Sequence, residues 1–326
     1  METIGPLIDT LGAKSKQAFL LWLEGVREAC CLHRVVIYCR RSRELAIRTG
    51  QCFLLNGFIF LGSIFILKSV IIPTLQWILP DQCPDAPCSY EGTLRFYSLL
   101  RHGLIQIFYV FWFYPMYIFS FILSNIWYND IAKHGFFAIE GYSNAEPTSK
   151  TGTLTSQNRS PTDKPTDLQG IVIGIAEQVY SLLLMSFFFL EVYITGFVPF
   201  VGKAINFVLL SWMYAYYCFE YKWNLSGLSL DKRLDFFESS WPFFAGFGCP
   251  CILAIFVFSP LVSYGVMAIL YPLFVLTATG SEADKIIALP RRKWKGAGLG
   301  RVPIFCAADY LSLRVLSLLP VKTHQQ

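Results

Sequence analysis

The chain has 326 residues, of which 54% are hydrophobic and 15% charged, and its mean hydropathy is +0.47. Soluble domains carry about 25% charged residues, so this composition excludes an ordinary water-soluble protein and predicts a chain that lies largely in lipid. The net charge is +5, and the positions of these charges predict how the chain is oriented.

The amino-terminal segment, residues 1–51, is polar and contains eight Lys or Arg residues, which predicts a cytosolic location. Within it Phe19, Trp22, Leu23, Val26 and Ala29 recur at helical spacing and predict an amphipathic helix. Two interpretations fit this helix equally well. It lies in the membrane surface, or it packs against the rest of the protein.

Residues 52–279 predict an all-α membrane domain of about six hydrophobic helices. The first span covers residues 52–80 and the second about 95–127. Pro73 is expected to kink or end the first span, and Pro115 to kink the second. A short helix is predicted at 130–141. Residues 143–167 contain ten Ser or Thr, three Pro and no aromatic residue, so this loop is predicted to be disordered.

Three further apolar runs follow at residues 168–202, 204–221 and 241–279. A turn containing Gly196, Pro199 and Gly202 separates the first two, and Ser259-Pro260 interrupts the third. The remaining segment, residues 280–326, has eight Lys or Arg residues and predicts a basic cytosolic tail, in which 307–319 is expected to be a surface helix.

Counts of Lys plus Arg in successive hydrophilic segments run 8, 0, 4, 1, 3, 0 and 8. The positive-inside rule therefore predicts that both termini, the 143–167 loop and the loop after residue 221 are cytosolic. Two topologies satisfy this pattern equally. One has six crossings, and the other has two crossings plus two re-entrant hairpins.

Two sequence strings, one before and one after the loop that follows residue 221, resemble the family of etoposide-induced protein 2.4. They are C-F-E-Y-K-W and W-P-F-F-A-G-F-G. Shorter strings in the same order extend the resemblance over residues 51–279, among them Gln51-Cys52 with Asn56-Gly57, and Tyr271-Pro272-Leu273-Phe274. The motif residues singled out are Cys218, Phe219, Glu220, Tyr221, Trp223, Trp241, Pro242, Gly246 and Gly248.

The resemblance implies a non-catalytic, multi-pass protein of the endoplasmic-reticulum membrane that regulates or scaffolds autophagy, growth suppression and apoptosis. Its expected partners are the bilayer, membrane or cytosolic regulatory proteins, and anionic lipids at the basic termini; nucleic acid is not expected. A more distant similarity to sulfate permeases of the CysZ type implies the alternative function, a transporter or channel for a small anion such as sulfate.

Motifs for catalysis are absent from the sequence. It contains no G-x-S-x-G, H-E-x-x-H, P-loop or dinucleotide fingerprint. Its four His residues show no ligand spacing. We therefore predict no enzyme activity, no cofactor and no metal site.

Ionisable residues within apolar runs are candidates for ion transport or for a polar network, because charge in hydrocarbon is costly. They are Lys68, Glu177, Glu191 and Glu220. The structural alternative is that Lys68 snorkels to water, Glu177 lies near an interface, and Glu220 pairs with Lys222 or Arg233.

The first loop holds C-P-D-A-P-C, from Cys83 to Cys88. The intervening residues favour a turn, and the loop is predicted to face the oxidising lumen. A local disulfide and a pair of reduced thiols are equally compatible with this string.

Overall fold

A computed structural model of the chain describes residues 4–79, 91–143, 168–293 and 298–318. The chain divides into two compact units. The first unit comprises Met1–Cys31, Ile139–Ile252 and Gly280–Gln326, and the second comprises Leu32–Ala138 and Leu253–Thr279. The predicted loop 143–167 and the Cys83–Cys88 string lie outside the described residues, apart from Ser143 itself, which ends a helix.

All regular structure in the described ranges is helical, which confirms the predicted all-α class. In chain order the helices are α1 (Ile4–Ala29), α2 (His33–Arg41), α3 (Arg43–Ile78), α4 (Glu91–Phe108, continued by Tyr109–Phe113 and Tyr114–Ser143), α5 (Leu168–Thr195), α6 (Gly202–Leu225), α7 (Leu230–Ser239), α8 (Trp241–Val257), α9 (Pro260–Thr279), α10 (Ala283–Lys293) and α11 (Cys306–Leu318).

The two long helices α3 and α4 accommodate their prolines through wider, π-helical stretches. Leu67–Ile71 ends just before Pro73, and Tyr109–Phe113 ends just before Pro115. A proline ring clashes with the carbonyl four residues earlier, and in both helices that carbonyl lies inside the π-helical stretch, where the backbone is wider. Each helix therefore continues past the proline at which a kink was predicted.

The break predicted between the second span and a short helix at 130–141 is wrong, because α4 runs on without interruption to Ser143. No Gly or Pro occurs between residues 116 and 134 to end the helix. Its polar end is held instead by ion pairs with α3. Arg48 lies 3.5 Å from Asp130, and His134 lies 3.3 Å from Glu44.

The core of the second unit is formed where α3, α4 and α9 meet. Phe60, Ile64, Leu67 and Phe113 are buried together there. The ring of Tyr264 from α9 packs edge-on against Phe60, with 5.4 Å between the ring centroids. Burial of large apolar side chains of this kind stabilises a helix bundle and leaves the remaining faces of α3 and α4 to the lipid.

The first unit contains a helical hairpin, α5 and α6, whose turn falls at the predicted place around Gly196 and Pro199. Phe200 in this turn has φ +63°, a left-handed conformation that is uncommon for a residue with a side chain. Phe197 and Phe200 are both exposed. The tip of the hairpin is therefore apolar.

Helix α1 packs on α8 at two glycines. A Cβ atom on Gly25 would overlap the backbone of Phe243, and one on Gly246 would overlap the carbonyl of Trp22. The opposite side of α1 leaves Phe19 and Leu23 exposed. One face of α1 thus packs on the protein, and the other has the apolar exposure that a helix in the membrane surface requires.

Three helices in the described residues, α3, α4 and α9, are long and apolar enough to cross a membrane. A fourth span is counted if α7 and α8, which meet at an angle of 89°, are taken together. The protein is therefore a polytopic α-helical membrane protein.

The close approach of α1 and α8 predicts the effect of one added methyl group. Gly246→Ala should lower the free energy of unfolding by about 2 kcal/mol or more, because the overlapped atom belongs to a backbone that cannot rotate away. Gly103→Ala is the matched control. A Cβ there has no neighbouring atom within 4 Å, so this change should be neutral or slightly stabilising. Thermal unfolding in detergent measures both, and equal losses would contradict the packing described.

Candidate functional site

A buried polar network crosses the core of the second unit. Asn56 of α3 is fully buried, and its amide nitrogen donates to the hydroxyl of Ser124 at 2.9 Å and to the carbonyl of Cys52 at 3.1 Å. Its amide oxygen accepts a hydrogen bond from Ser120, whose hydroxyl also lies 3.2 Å from that of Tyr264. The network joins α3, α4 and α9, and both ends of the Asn56 amide have partners.

A proline in α9 explains a second set of polar contacts. Pro272 has no N–H, so the carbonyl four residues earlier, that of Ala268, cannot make its helical hydrogen bond. That carbonyl accepts instead from the hydroxyl of Tyr128 at 3.0 Å and from the thiol of Cys52 at 3.4 Å. In a membrane a freed carbonyl must find such partners. The family strings that contain Cys52, Asn56 and Pro272 thus meet in one place.

The ionisable candidates do not gather around this network. Lys68 is exposed on α3, within a helix that is long and apolar enough to cross a membrane. Glu177 falls within α5, in a part whose side chains the structure does not describe. Glu191 has one carboxylate oxygen that is buried and has no hydrogen-bond partner among the described residues, so it stays a candidate for a polar function.

Glu220 lines a cavity of about 310 Å³ in the first unit, together with Ser181 and Tyr217. Among the described residues Glu220 forms no direct ion pair with Lys222 or Arg233, the partners predicted for it, although the charge of Arg233 still acts on Glu220. Lys222 donates to the carbonyl of Ser281, and Arg233 donates to Asn224 and to the carbonyl of Leu228. Both cations therefore donate hydrogen bonds to neutral carbonyl and amide oxygens rather than to the Glu220 carboxylate.

The other motif residues build the aromatic core of the first unit. The ring centroid of Phe219 lies 4.9 Å from that of Phe247 and 5.2 Å from that of Phe244. A Cβ atom on Gly248 would overlap the backbone of Ser211. These residues therefore hold α6 against α8. Cys218, Phe219, Trp223, Pro242, Gly246 and Gly248 are all buried, while Tyr221 and Trp241 are half-buried.

The carboxylate of Glu238, near the end of α7, joins the central loop to the carboxyl-terminal segment. It is 4% exposed, accepts from Arg301 at 2.7 Å, and accepts from the backbone N–H of Phe305 at 3.1 Å. The Glu238 backbone carbonyl also accepts from the N–H of Val302, and Arg301 reaches Asp235 at 2.8 Å. Hydrogen bonding to Glu238 raises the pKa of Arg301. Sequence patterns did not predict this pair, because its members are 63 residues apart.

Two aromatic contacts complete this anchor. The ring of Phe305 lies 4.9 Å from that of Phe188 and 5.4 Å from that of Tyr216. One turn further on, Asp309 of α11 accepts a hydrogen bond from Tyr180 of α5. The carboxyl-terminal segment, predicted only as a basic tail with a surface helix, is therefore bound to the first unit through Arg301, Phe305 and Asp309.

The described ranges contain no group of three or more His, Cys, Asp or Glu side chains arranged to hold a metal ion. Helices long enough to span a membrane and buried polar contacts between them define the class, a multi-pass helical membrane protein.

Comparison with known proteins agrees with this class. A family model described as Sulfate transporter CysZ/Etoposide-induced protein 2.4 matches residues 31–272. Protein EI24 homolog of Arabidopsis thaliana is 64% identical over 312 residues, which cover 94% of this chain and 97% of the relative. Protein EI24 homolog of Dictyostelium discoideum is 28% identical over 323 residues, covering 97% of this chain and 90% of the relative.

A shorter match links the chain to Ectopic P granules protein 4 of Caenorhabditis elegans, with 32% identity over 107 residues, 32% of this chain and 34% of the relative. The chain belongs to the Sulfate transporter CysZ/Etoposide-induced protein 2.4 family, which is not a known enzyme family.

The Asn56 network predicts a stability effect that depends on burial. Asn56→Leu leaves Ser120 and Ser124 without this partner and should lower the free energy of unfolding by about 1–2 kcal/mol. Asn125→Leu is the control, because Asn125 is exposed and bonds only to the Phe121 carbonyl of its own helix. Unfolding in detergent should separate the two variants, and equal effects would show that the network does not contribute.

The Glu238 anchor predicts coupling between distant residues. Arg301→Gln should destabilise the protein by about 2–3 kcal/mol, because it leaves the buried Glu238 carboxylate without its charged partner. Glu238→Gln should cost less, because Arg301 is exposed and keeps Asp235. The double variant should be no worse than Arg301→Gln alone. As a control, Glu282→Gln breaks an exposed pair with Lys285 at 2.8 Å and should cost less than about 0.5 kcal/mol. Additive losses at Glu238 and Arg301 would contradict a direct pair.

Proposed function

We propose that the chain is a non-catalytic protein of the endoplasmic-reticulum membrane, with both termini in the cytosol, that acts as a regulator or scaffold in autophagy, growth suppression and apoptosis. Membership of the family supports this proposal. The distribution of Lys and Arg along the chain supports the orientation.

One observation carries the scaffold role. Glu238 binds the carboxyl-terminal segment to α7, so the central loop and the segment form one folded, charged surface. A rigid surface loses little conformational entropy when a partner binds, which suits a docking platform for membrane or cytosolic regulatory proteins. The basic residues of α10 and of the amino-terminal segment suit contact with anionic lipids.

Transport of a small anion such as sulfate has less support. A conducting pathway needs polar groups that are free to bind the ion, whereas the described amide and hydroxyl groups at Asn56 already bond to one another. Lys68 is exposed and lines none of the three cavities described.

The scaffold role predicts a loss of cellular function when the anchor is broken. In cells whose own copy of the gene has been deleted, wild-type protein should restore autophagic flux, measured as turnover of a lipidated autophagosome marker. Glu238→Gln, expressed to the same level in the membrane, should restore less than about half of that flux because the platform is loosened. Glu282→Gln is the control and should restore it fully. Full restoration by Glu238→Gln would contradict the role of the anchor.

A sulfate flux assay distinguishes the transporter alternative from the scaffold proposal. Wild-type protein in sealed liposomes should pass labelled sulfate no faster than protein-free liposomes do. A protein-dependent flux that Lys68→Gln or Glu191→Gln abolishes would replace the scaffold proposal with a transporter.

A further inference from the structure

A cavity of about 320 Å³ lies in the first unit, where the end of α6, the middle of α7 and the start of α10 come together. Lys222, Trp223, Lys232, Phe236 and Asp284 are among its lining residues. None of these residues belongs to the Glu238 anchor or to the Asn56 network. The lining of the cavity combines two cations, one carboxylate and three aromatic rings, the third being that of Phe219.

Two opposite charges in this cavity have no direct partner within the described part of the chain. Lys232 and Asp284 form no hydrogen bond and no ion pair with any other described group, and both are exposed. Nearby charges do form ion pairs, such as Lys285 with Glu282 at 2.8 Å. A site that presents both signs to one space is complementary to a ligand that carries both signs.

The side chains that line the cavity favour binding of a substituted ammonium group as the cation and of a phosphate as the anion. A substituted ammonium group is attracted to a carboxylate and to the faces of aromatic rings such as Trp and Phe. Lysine ammonium groups bind phosphate as point charges. Lys222 donates to the carbonyl of Ser281, which fixes one cation at the edge of the cavity, where the charge of Asp284 also acts on it.

The angle between α7 and α8 indicates that such a ligand comes from the lipid bilayer. The two helices meet at 89°, so α7 lies along the membrane surface when α8 follows the bilayer normal. The cavity beneath α7 then opens at the level of the lipid headgroups, where phosphate and substituted ammonium groups occur together.

We propose that this cavity binds the headgroup of a zwitterionic phospholipid, phosphatidylcholine or phosphatidylethanolamine. The phosphate is bound by Lys222 and Lys232, and the ammonium group by Asp284 with Trp223 and Phe236. The site is distinct from the anchor that supports the scaffold role, because it uses neither Glu238 nor residues 301–318, which Glu238 binds.

Native mass spectrometry of the full-length protein tests the site. Wild-type protein released from mild detergent should retain dioleoyl-phosphatidylcholine or -ethanolamine in preference to dioleoyl-phosphatidylglycerol, which lacks the ammonium group. Lys232→Gln and Asp284→Asn should each reduce that retention about fivefold. The matched controls are Arg27→Gln and Glu24→Gln, which remove one charge of each sign from an ion pair on α1 whose members do not line the cavity and should retain lipid as the wild type does.

The remaining outcomes are equally decisive. Phosphatidylglycerol retained as well as phosphatidylcholine would overturn the proposal in favour of a simple anion site. Millimolar free phosphocholine should compete with the lipid for this site, and retention of phosphatidylcholine that phosphocholine leaves unchanged would overturn recognition through the headgroup. If Lys232→Gln unfolds in detergent, Lys232→Arg keeps the charge and should retain the lipid, and loss of retention in that folded variant would also contradict the proposal.

Discussion

A buried carboxylate is the constraint on which the first unit depends. Glu238 is almost entirely removed from water, and an isolated charge in such a place is very unfavourable unless it is paired and hydrogen-bonded. Arg301 and the backbone N–H of Phe305 meet that need. Because both donors lie in the carboxyl-terminal segment, this segment must fold back on α7, and Phe305 then fills a space among the aromatic rings.

In the second unit, too, buried polar groups need hydrogen-bond partners, and this need determines which helices pack together. Pro272 frees the carbonyl of Ala268, and Tyr128 and Cys52 supply the missing donors. In the same core, Asn56 donates a hydrogen bond to Ser124 and accepts one from Ser120, both of α4. In a membrane, where water is not available, such contacts fix which helices meet and in what register.

The sequence predicted features that depend on neighbours in the chain. Apolar runs located the helices, and Gly196 with Pro199 located the turn of the hairpin, because hydropathy and backbone restrictions act locally. Prediction from the sequence failed where the partner of a charged residue is far away in the chain or carries no charge. Glu238 and Arg301 are 63 residues apart, and Arg233 bonds to an amide and a carbonyl rather than to Glu220. The break expected before residue 130 was wrong because charged residues there are held by α3 instead of ending the helix.

The motif residues of the family acquire a physical meaning in this structure. Phe219, Gly246 and Gly248 are positions at which ring packing or backbone contact allows few alternatives. They hold α6 and α1 against α8, whereas the scaffold proposal assigns partner binding to the charged residues of α7, α10 and the carboxyl-terminal segment.

Hydrogen exchange of the carboxyl-terminal segment tests the central claim, that residues 301–318 are a folded part of the first unit. The amides of Val302 and Phe305 donate to Glu238, so peptides covering them and α11 should exchange as slowly as those of α7 in the purified, full-length protein. Complete exchange of these peptides at the shortest labelling time, with α7 still protected, would contradict the account.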